Sequence, residues 1–248
     1  MENDILLFIL VGFAAQMIDG ALGMAYGVSA STFLLSMGVP PAAASASVHI
    51  AEVFTTGVSG FSHFKLGNID KVLVKKLAIP GVLGGIVGAY ILSSIDSNVI
   101  KPFVSAYLLI MGVRILWKVL CRQAHAEEKE VKHMGLLALA GGFFDAIGGG
   151  GWGPIVTTTL IANGKNPRKT IGSVNLTEFF VTFAEAVTFI TLIGLVNVSV
   201  ILGLIIGGVI AAPLGAFLTR RVPAPAMMTI VGLLISFLSV RTIVEALV

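Results

Sequence analysis

Charge is scarce in this chain. Charged residues fill 12% of its 248 positions, about half the share found in ordinary soluble domains. Hydrophobic residues fill 56%, and apolar runs recur from end to end, which excludes a soluble globular protein and points to an integral membrane one. The runs are too long and too uniform for barrel strands, so the expected class is all-α. Cys121 is the only cysteine, which excludes an intrachain disulfide and leaves the redox compartment unread. There are four histidines but no HExxH pattern, so a metal-hydrolase site lacks support, and no G-x-x-x-x-G-K-[ST] loop is present to cradle ATP. The expectation is therefore not an enzyme, with no cofactor and no metal. The first residues, MENDI, are acidic where the leader of a secreted protein is basic, so no signal peptide is expected. The net charge of +3 bears on membrane topology and not on nucleic acid.

What is present is a repeat. Shifted by 126 positions, Asp19 falls on Asp145, Gly23 on Gly149, and Tyr26-Gly27 on Trp152-Gly153. Gly38 meets Gly164, Pro41 meets Pro167, Ser47-Val48 meets Ser173-Val174, and Glu52 meets Glu178. With one more residue of shift, GVLGGIVGAYI (81–91) lies on GVIAAPLGAFL (208–218). The chain thus divides into a first membrane repeat, 1–120, a charged linker, 121–133, and a second membrane repeat, 134–248. Internal duplication is the common plan of secondary transporters.

Each half holds four apolar stretches, about 5–36, 43–63, 72–94 and 99–119 in the first and 135–162, 171–193, 198–219 and 225–247 in the second. The leading stretch is the odd one. As a single helix, residues 5–36 would run ~48 Å at 1.5 Å per residue, against a hydrocarbon core of ~30 Å. A break is expected in its middle, at DGALG (19–23), matching DAIGG (145–149). The charges choose between one crossing and a pair that crosses twice or re-enters. Only a pair puts the basic loops 64–76, 121–134, 165–169 and Arg220-Arg221 on one side, as the positive-inside rule prefers. The expected fold is an all-α polytopic membrane protein of two inverted-topology repeats. Each opens with a broken or re-entrant short-helix pair followed by three transmembrane helices. The expected location is the cytoplasmic membrane, multi-pass, with both termini outside.

Irregular backbone at membrane depth is tolerated where it is buried in protein or lines a polar cavity. A helix starting there presents free N–H groups and the positive end of its dipole, a ready anion site. Two such starts are expected, near Met24–Tyr26 and Gly151–Trp152, with Gly23, Gly149 and Gly150 letting a small ligand approach the backbone. Close helix packing is the other reading of these glycines. Asp19 and Asp145 precede the second short helix of each pair and read as caps or Asx turns ahead of a ligand role. The next helix carries SVHIAEVFTT (47–56) in one half and SVNLTEFFVT (173–182) in the other. Ser47, His49, Ser173 and Asn175 are candidate donors to an oxyanion, although hydroxyls in such helices more often bond their own carbonyls. Glu52 and Glu178 each need a partner or a function at that depth, and with Asp19 and Asp145 they are the candidate proton carriers. Arg114 and Lys118, near a helix end, are expected to snorkel to the surface.

GGGGWGPIV (148–156), GSVNLTEFF (172–180) and the first-half copies DGALGMAYGVSASTFLL (19–35) and ASVHIAEVF (46–54) resemble the motifs of the TauE/SafE family. The resemblance covers nearly the whole chain. It implies export or uptake of small sulfur-containing anions such as sulfite, with coupling to protons, while the inverted halves point to alternating access. The first copy departs from the pattern, with Ala46-Ser47 in its second motif and its glycine run reduced to Gly20 and Gly23. The expected partners are a small inorganic or organosulfur anion, protons and the lipid bilayer, with no nucleic acid. Two rivals stay open, a cation transporter using the intramembrane acids and a membrane scaffold with no substrate.

Overall fold

The computed structural model of the protein describes residues 5–22, 24–121, 131–218 and 224–247. Gly23, linker residues 122–130 and Arg220-Arg221 lie outside the described residues. The first half runs α1 (Ile5–Leu22), α2 (Tyr26–Ser36), α3 (Pro41–Lys65), α4 (Lys71–Ser94) and α5 (Ser97–Leu120). The second runs α6 (Met134–Gly148), α7 (Thr158–Ala162, entered through a π-helical turn, Gly153–Thr157), α8 (Pro167–Ile193), α9 (Val198–Leu218) and α10 (Ala224–Leu247). Local chemistry sets the starts. Asp70 Oδ1 accepts from Val72 N and Leu73 N, at 2.9 and 3.2 Å, to cap α4. Asp96 caps α5 through Asn98 N at 2.8 Å, and Asn166 caps α8 through Lys169 N at 3.2 Å. Pro41 and Pro167 open α3 and α8, where a missing N–H costs nothing.

Helices α4, α5, α8 and α10 are long and apolar enough to cross a membrane. The outside is greasy, with Ile79 71% and Phe237 69% exposed, while His49, Asp145 and Glu185 are at most 1% exposed. Apolar surface around a polar interior is stable in a bilayer and not in water. The protein is an all-α polytopic membrane protein.

The breaks fall later than the sequence suggests. α1 runs through Asp19 to Leu22 and α6 through Asp145 to Gly148, so the aspartates sit in the last turns of the leading helices. One glycine inside an apolar helix costs only ~1 kcal/mol. What stops α6 is a pair of positive φ angles, 63° at Gly149 and 153° at Gly150. Ala25, before α2, has φ 89°, a conformation that a side chain disfavours. At 1.5 Å per residue, α1 reaches ~27 Å and α2 ~16 Å.

The helices pair in a pattern that survives exchange of the halves. α1 packs along α9 as α6 packs along α4, and α4 meets α8 as α9 meets α3, while α3 pairs with α8 and α5 with α10. The last two pairs run antiparallel. Gly57 faces Phe179 while Gly60 faces Leu176, and Gly112 faces Ser236 while Gly232 faces Leu116. The α3–α4 and α7–α8 connections lie together at one end of the bundle. There Asp70 N donates to Ser173 Oγ at 2.7 Å, tying the α3–α4 loop to the start of α8. Val131–His133 before α6 and Asn163 after α7 line one cavity, so the broken α6–α7 segment returns to the end from which it started.

Candidate functional site

The two breaks meet. Gly27, in the first turn of α2, lies against Gly149 and Gly150, and a Cβ on Gly27 or on Gly150 would strike the opposite backbone. Ser31 Oγ donates to Gly149 O at 2.7 Å, and Tyr107 OH donates to Gly150 O at 3.2 Å. Asp145 crosses its own break, with Oδ1 accepting from Gly151 N at 2.5 Å and Trp152 N at 2.8 Å. It is a cap, and it holds two of the amides that the sequence offers to an anion. Asp19 faces the backbone N–H of Tyr26 across the other break. Tyr26, Gly27, Glu52, Asp145, Gly150, Gly151, Pro154 and Glu178 surround one small cleft of about 10 Å³, room for a single water. Residues paired by the repeat, Glu52 and Glu178, thus line the same space.

Next to this cleft, which Glu52 and Asp145 line, His49 faces three buried carboxylates. Its Nδ1 lies 2.7 Å from the Ser45 carbonyl. A carbonyl only accepts, so Nδ1 carries a hydrogen. Ser45 Oγ donates to Ala146 O at 2.5 Å and so offers Nδ1, 3.2 Å away, only a lone pair. Nε2 is left facing Glu185 Oε2 at 2.8 Å, with Asp145 Oδ2 at 3.6 Å and Glu52 Oε2 at 4.0 Å. Two lone pairs do not approach to 2.8 Å without a proton between them. Either the imidazolium donates to a carboxylate or a carboxylic acid donates to the neutral ring. His49, Asp145 and Glu185 offer three ligand-type atoms within 4.8 Å of one another. Two ligands on a tetrahedral zinc stand ~3.3 Å apart, however, and the Nε2–Oε2 separation is a proton's spacing.

The remaining candidates scatter. Trp152 is fully buried, and its Nε1 donates to Val174 O at 3.2 Å. Met24 is buried beside the break. Ser47 donates to Ala43 O in its own helix. Ser173 is engaged by the α3–α4 loop. Asn175 accepts from Ser59 Oγ at 3.1 Å and donates to Ile171 O at 3.0 Å. Neither Ser173 nor Asn175 lines the cleft between the breaks.

Glu185 was not among the candidates. The available signal was its position two turns after Glu178 on α8, hence on the same face. Register matching passed it over because its repeat partner is Ser59. The structure pairs these positions twice, once as His49 with Glu185 and once as Asn175 with Ser59. Equivalent rungs of one antiparallel helix pair have become an ionisable couple and a neutral one.

Comparison with known proteins agrees with a chain built for the membrane. The chain matches the family described as "Sulfite exporter TauE/SafE" over residues 8–242. It is 42% identical to the "Probable membrane transporter protein YtnM" of Bacillus subtilis (strain 168), over 98% of this chain and 84% of that relative. No solved structure matches. The chain belongs to the TauE/SafE family, whose members are membrane transporters and not enzymes.

Proposed function

We propose that the protein is a secondary transporter that carries small sulfur-containing anions such as sulfite by alternating access, with proton coupling. The observation that carries this reading is the abutment of the two helix breaks, Gly27 on Gly149–Gly150, in a cleft shared by Glu52 and Glu178. Broken helices meeting at mid-depth are where secondary transporters bind substrate. Inverted repeats, 1–120 and 134–248 about the linker 121–133, are supported by helix pairings that survive exchange of the halves and by the antiparallel α3–α8 and α5–α10 pairs. A two-fold axis in the membrane plane requires equivalent helices to run oppositely. The basic loops then face the cytoplasm, with both termini outside.

In this mechanism the anion competes with Asp145 for the amides of Gly151 and Trp152. A neutral side chain at Asp145 accepts more weakly than a carboxylate, so an anion arriving with a proton displaces it from both donors and less net charge crosses the bilayer. His49, Glu52, Glu185, Glu178 and Asp19 hold or pass the proton. Sulfite flux in proteoliposomes, with and without an imposed pH gradient, tests the reading. A gradient that fails to drive sulfite removes the coupling, and absence of sulfite flux removes the substrate class. The central acids favour one other reading, transport of a divalent cation, and counterflow with manganese or zinc against sulfite decides between them.

A further inference from the structure

The sequence reads Arg114 and Lys118 as cations that snorkel from a helix end, but the structure sets both around a cavity. It lies between the last two turns of α5 and α7, with a volume of about 230 Å³. Met24 and Pro154 form part of its wall, and Pro154 also lines the cleft between the breaks. The cavity therefore adjoins the proposed transport site. Arg114 Nη2 donates to Thr158 Oγ1 at 3.3 Å, while Thr158 Oγ1 itself donates to Pro154 O. That chain of bonds ties the guanidinium to Thr158 and, through it, to Pro154. Lys118 stands one turn further out. Among the described residues, neither cation pairs with a carboxylate.

The repeat supplies a comparison. Arg114 and Lys118 correspond to Arg241 and Glu245 in the register that aligns 81–91 with 208–218. Arg241 Nε and Glu245 Oε1 are 2.7 Å apart, an (i, i+4) ion pair. Because α5 and α10 run antiparallel, this neutral pair sits at the opposite end of the bundle. Among the described residues, the same two positions thus give two cations without a carboxylate partner at one end of the bundle and an ion pair at the other.

We propose that the α5–α7 cavity is an entry site for a small oxyanion, which Arg114 and Lys118 hold before it reaches the helix breaks. The site places positive charge where the anion leaves water and none where the buried acids need protons. A cleft of one sign of charge raises the local concentration of its counter-ion, and a guanidinium presents paired donors suited to an oxyanion. The inference rests on the anion-transport reading above, and its test separates the two.

Trp117 lines the cavity and is 66% exposed, whereas Trp152 is fully buried. These are the only tryptophans of the chain, so collisional quenching of emission reports on the cavity. The experiment compares iodide with neutral acrylamide on the purified full-length protein at constant ionic strength. Lys118→Glu recreates the arrangement of Arg241 and Glu245, and Arg114→Gln is the second variant. Acrylamide quenching equal to wild type verifies that each variant is folded. The iodide quenching constant should fall about threefold or more in Lys118→Glu, and sulfite should displace iodide from the wild type saturably. In proteoliposomes, KM for sulfite offered at the α5 end should rise about tenfold with kcat retained. Iodide quenching unchanged in both variants, or an unchanged KM, overturns the entry site. Saturable displacement without flux keeps the site and removes the transport reading. Flux without displacement does the reverse.

Discussion

Truncating Glu185 to alanine should destabilise the protein far more than replacing it with glutamine. Among the described residues neither Glu185 oxygen has another hydrogen-bond donor, and the carboxylate is fully buried against His49. In Glu185→Ala, His49 Nε2 keeps only Asp145 at 3.6 Å and Glu52 at 4.0 Å, both outside good hydrogen-bond range. Breaking a buried ionic pair by removing one partner costs ~3–5 kcal/mol. At ~2–4 °C per kcal/mol for a chain of this size, the unfolding midpoint should fall by about 6–20 °C. Glu185→Gln keeps the shape and offers its amide N–H to Nε2, so the cost is that of one altered hydrogen bond, ~1 kcal/mol. Ser59→Ala, at the equivalent position of the other repeat, should cost a similar ~1 kcal/mol because the bond it removes is neutral. Thermal scans in one detergent at fixed pH measure all three. The His49→Ala, Glu185→Ala double mutant measures the coupling, expected at ~2–3 kcal/mol. Alanine and glutamine variants that melt within a degree of each other, or a coupling near zero, would refute the shared proton.

Gly150→Leu should lower the unfolding midpoint and abolish sulfite flux together, because its side chain enters the backbone of Gly27–Val28 at φ 153°. A Leu variant that transports normally would show that the breaks do not meet during turnover. Asp145→Asn retains an acceptor for Gly151 N and Trp152 N, so the fold should persist while the response of sulfite flux to a pH gradient disappears. An unaltered response removes Asp145 from coupling. On a Cys121-free background, single cysteines at Gly67 and Asn166 should label from the cytoplasm and those at Gly38 and Asn197 from outside. Labelling of positions 67 and 166 from opposite sides would end the inverted arrangement.

The long helices were legible because lipid imposes their length and apolarity, whereas their pairing was not. Apolar length marks α4, α5, α8 and α10, and the register of Asp, Gly and Pro marks the duplication. The breaks were legible as glycine runs but not to the residue. Asp19 and Asp145 are compatible with a final helical turn, and only the φ angles at Gly149 and Gly150 decide where α6 stops. The central polar groups were half legible. Glu52, Glu178 and Asp145 stand out as charges in apolar runs with repeat partners, and they do share a cleft. Glu185 has no such partner, and its meeting with His49 depends on the antiparallel register of α3 on α8, which one-dimensional matching does not contain. Ser47, Ser173 and Asn175 matched well in register yet are bonded elsewhere. Repeat symmetry selects positions that face neighbouring helices, and a packing contact satisfies that condition as well as a site does.

Among the described residues no lysine or arginine lines the central cleft, and the proposed alternating-access cycle gives a reason for it. A fixed cation beside the breaks would bind an oxyanion strongly in a low dielectric and release it slowly. In the proposed cycle, a backbone site gated by Asp145 would hold the anion only together with a proton. Its affinity therefore falls when the proton leaves. Permanent cations are useful at the entrance, where solvent screens them and exchange is fast. In the structure Arg114 and Lys118 flank an open cavity, and the central cleft is lined by acids and amides. This division assigns attraction to the mouth and gating to the core. It also predicts an asymmetry in salt dependence. Raising ionic strength should weaken sulfite entry at the α5 end and leave entry at the α10 end, where Arg241 is cancelled by Glu245, nearly unchanged. Oriented vesicles assayed at low and high potassium gluconate measure this, and equal salt sensitivity at the two faces would remove the electrostatic distinction between them.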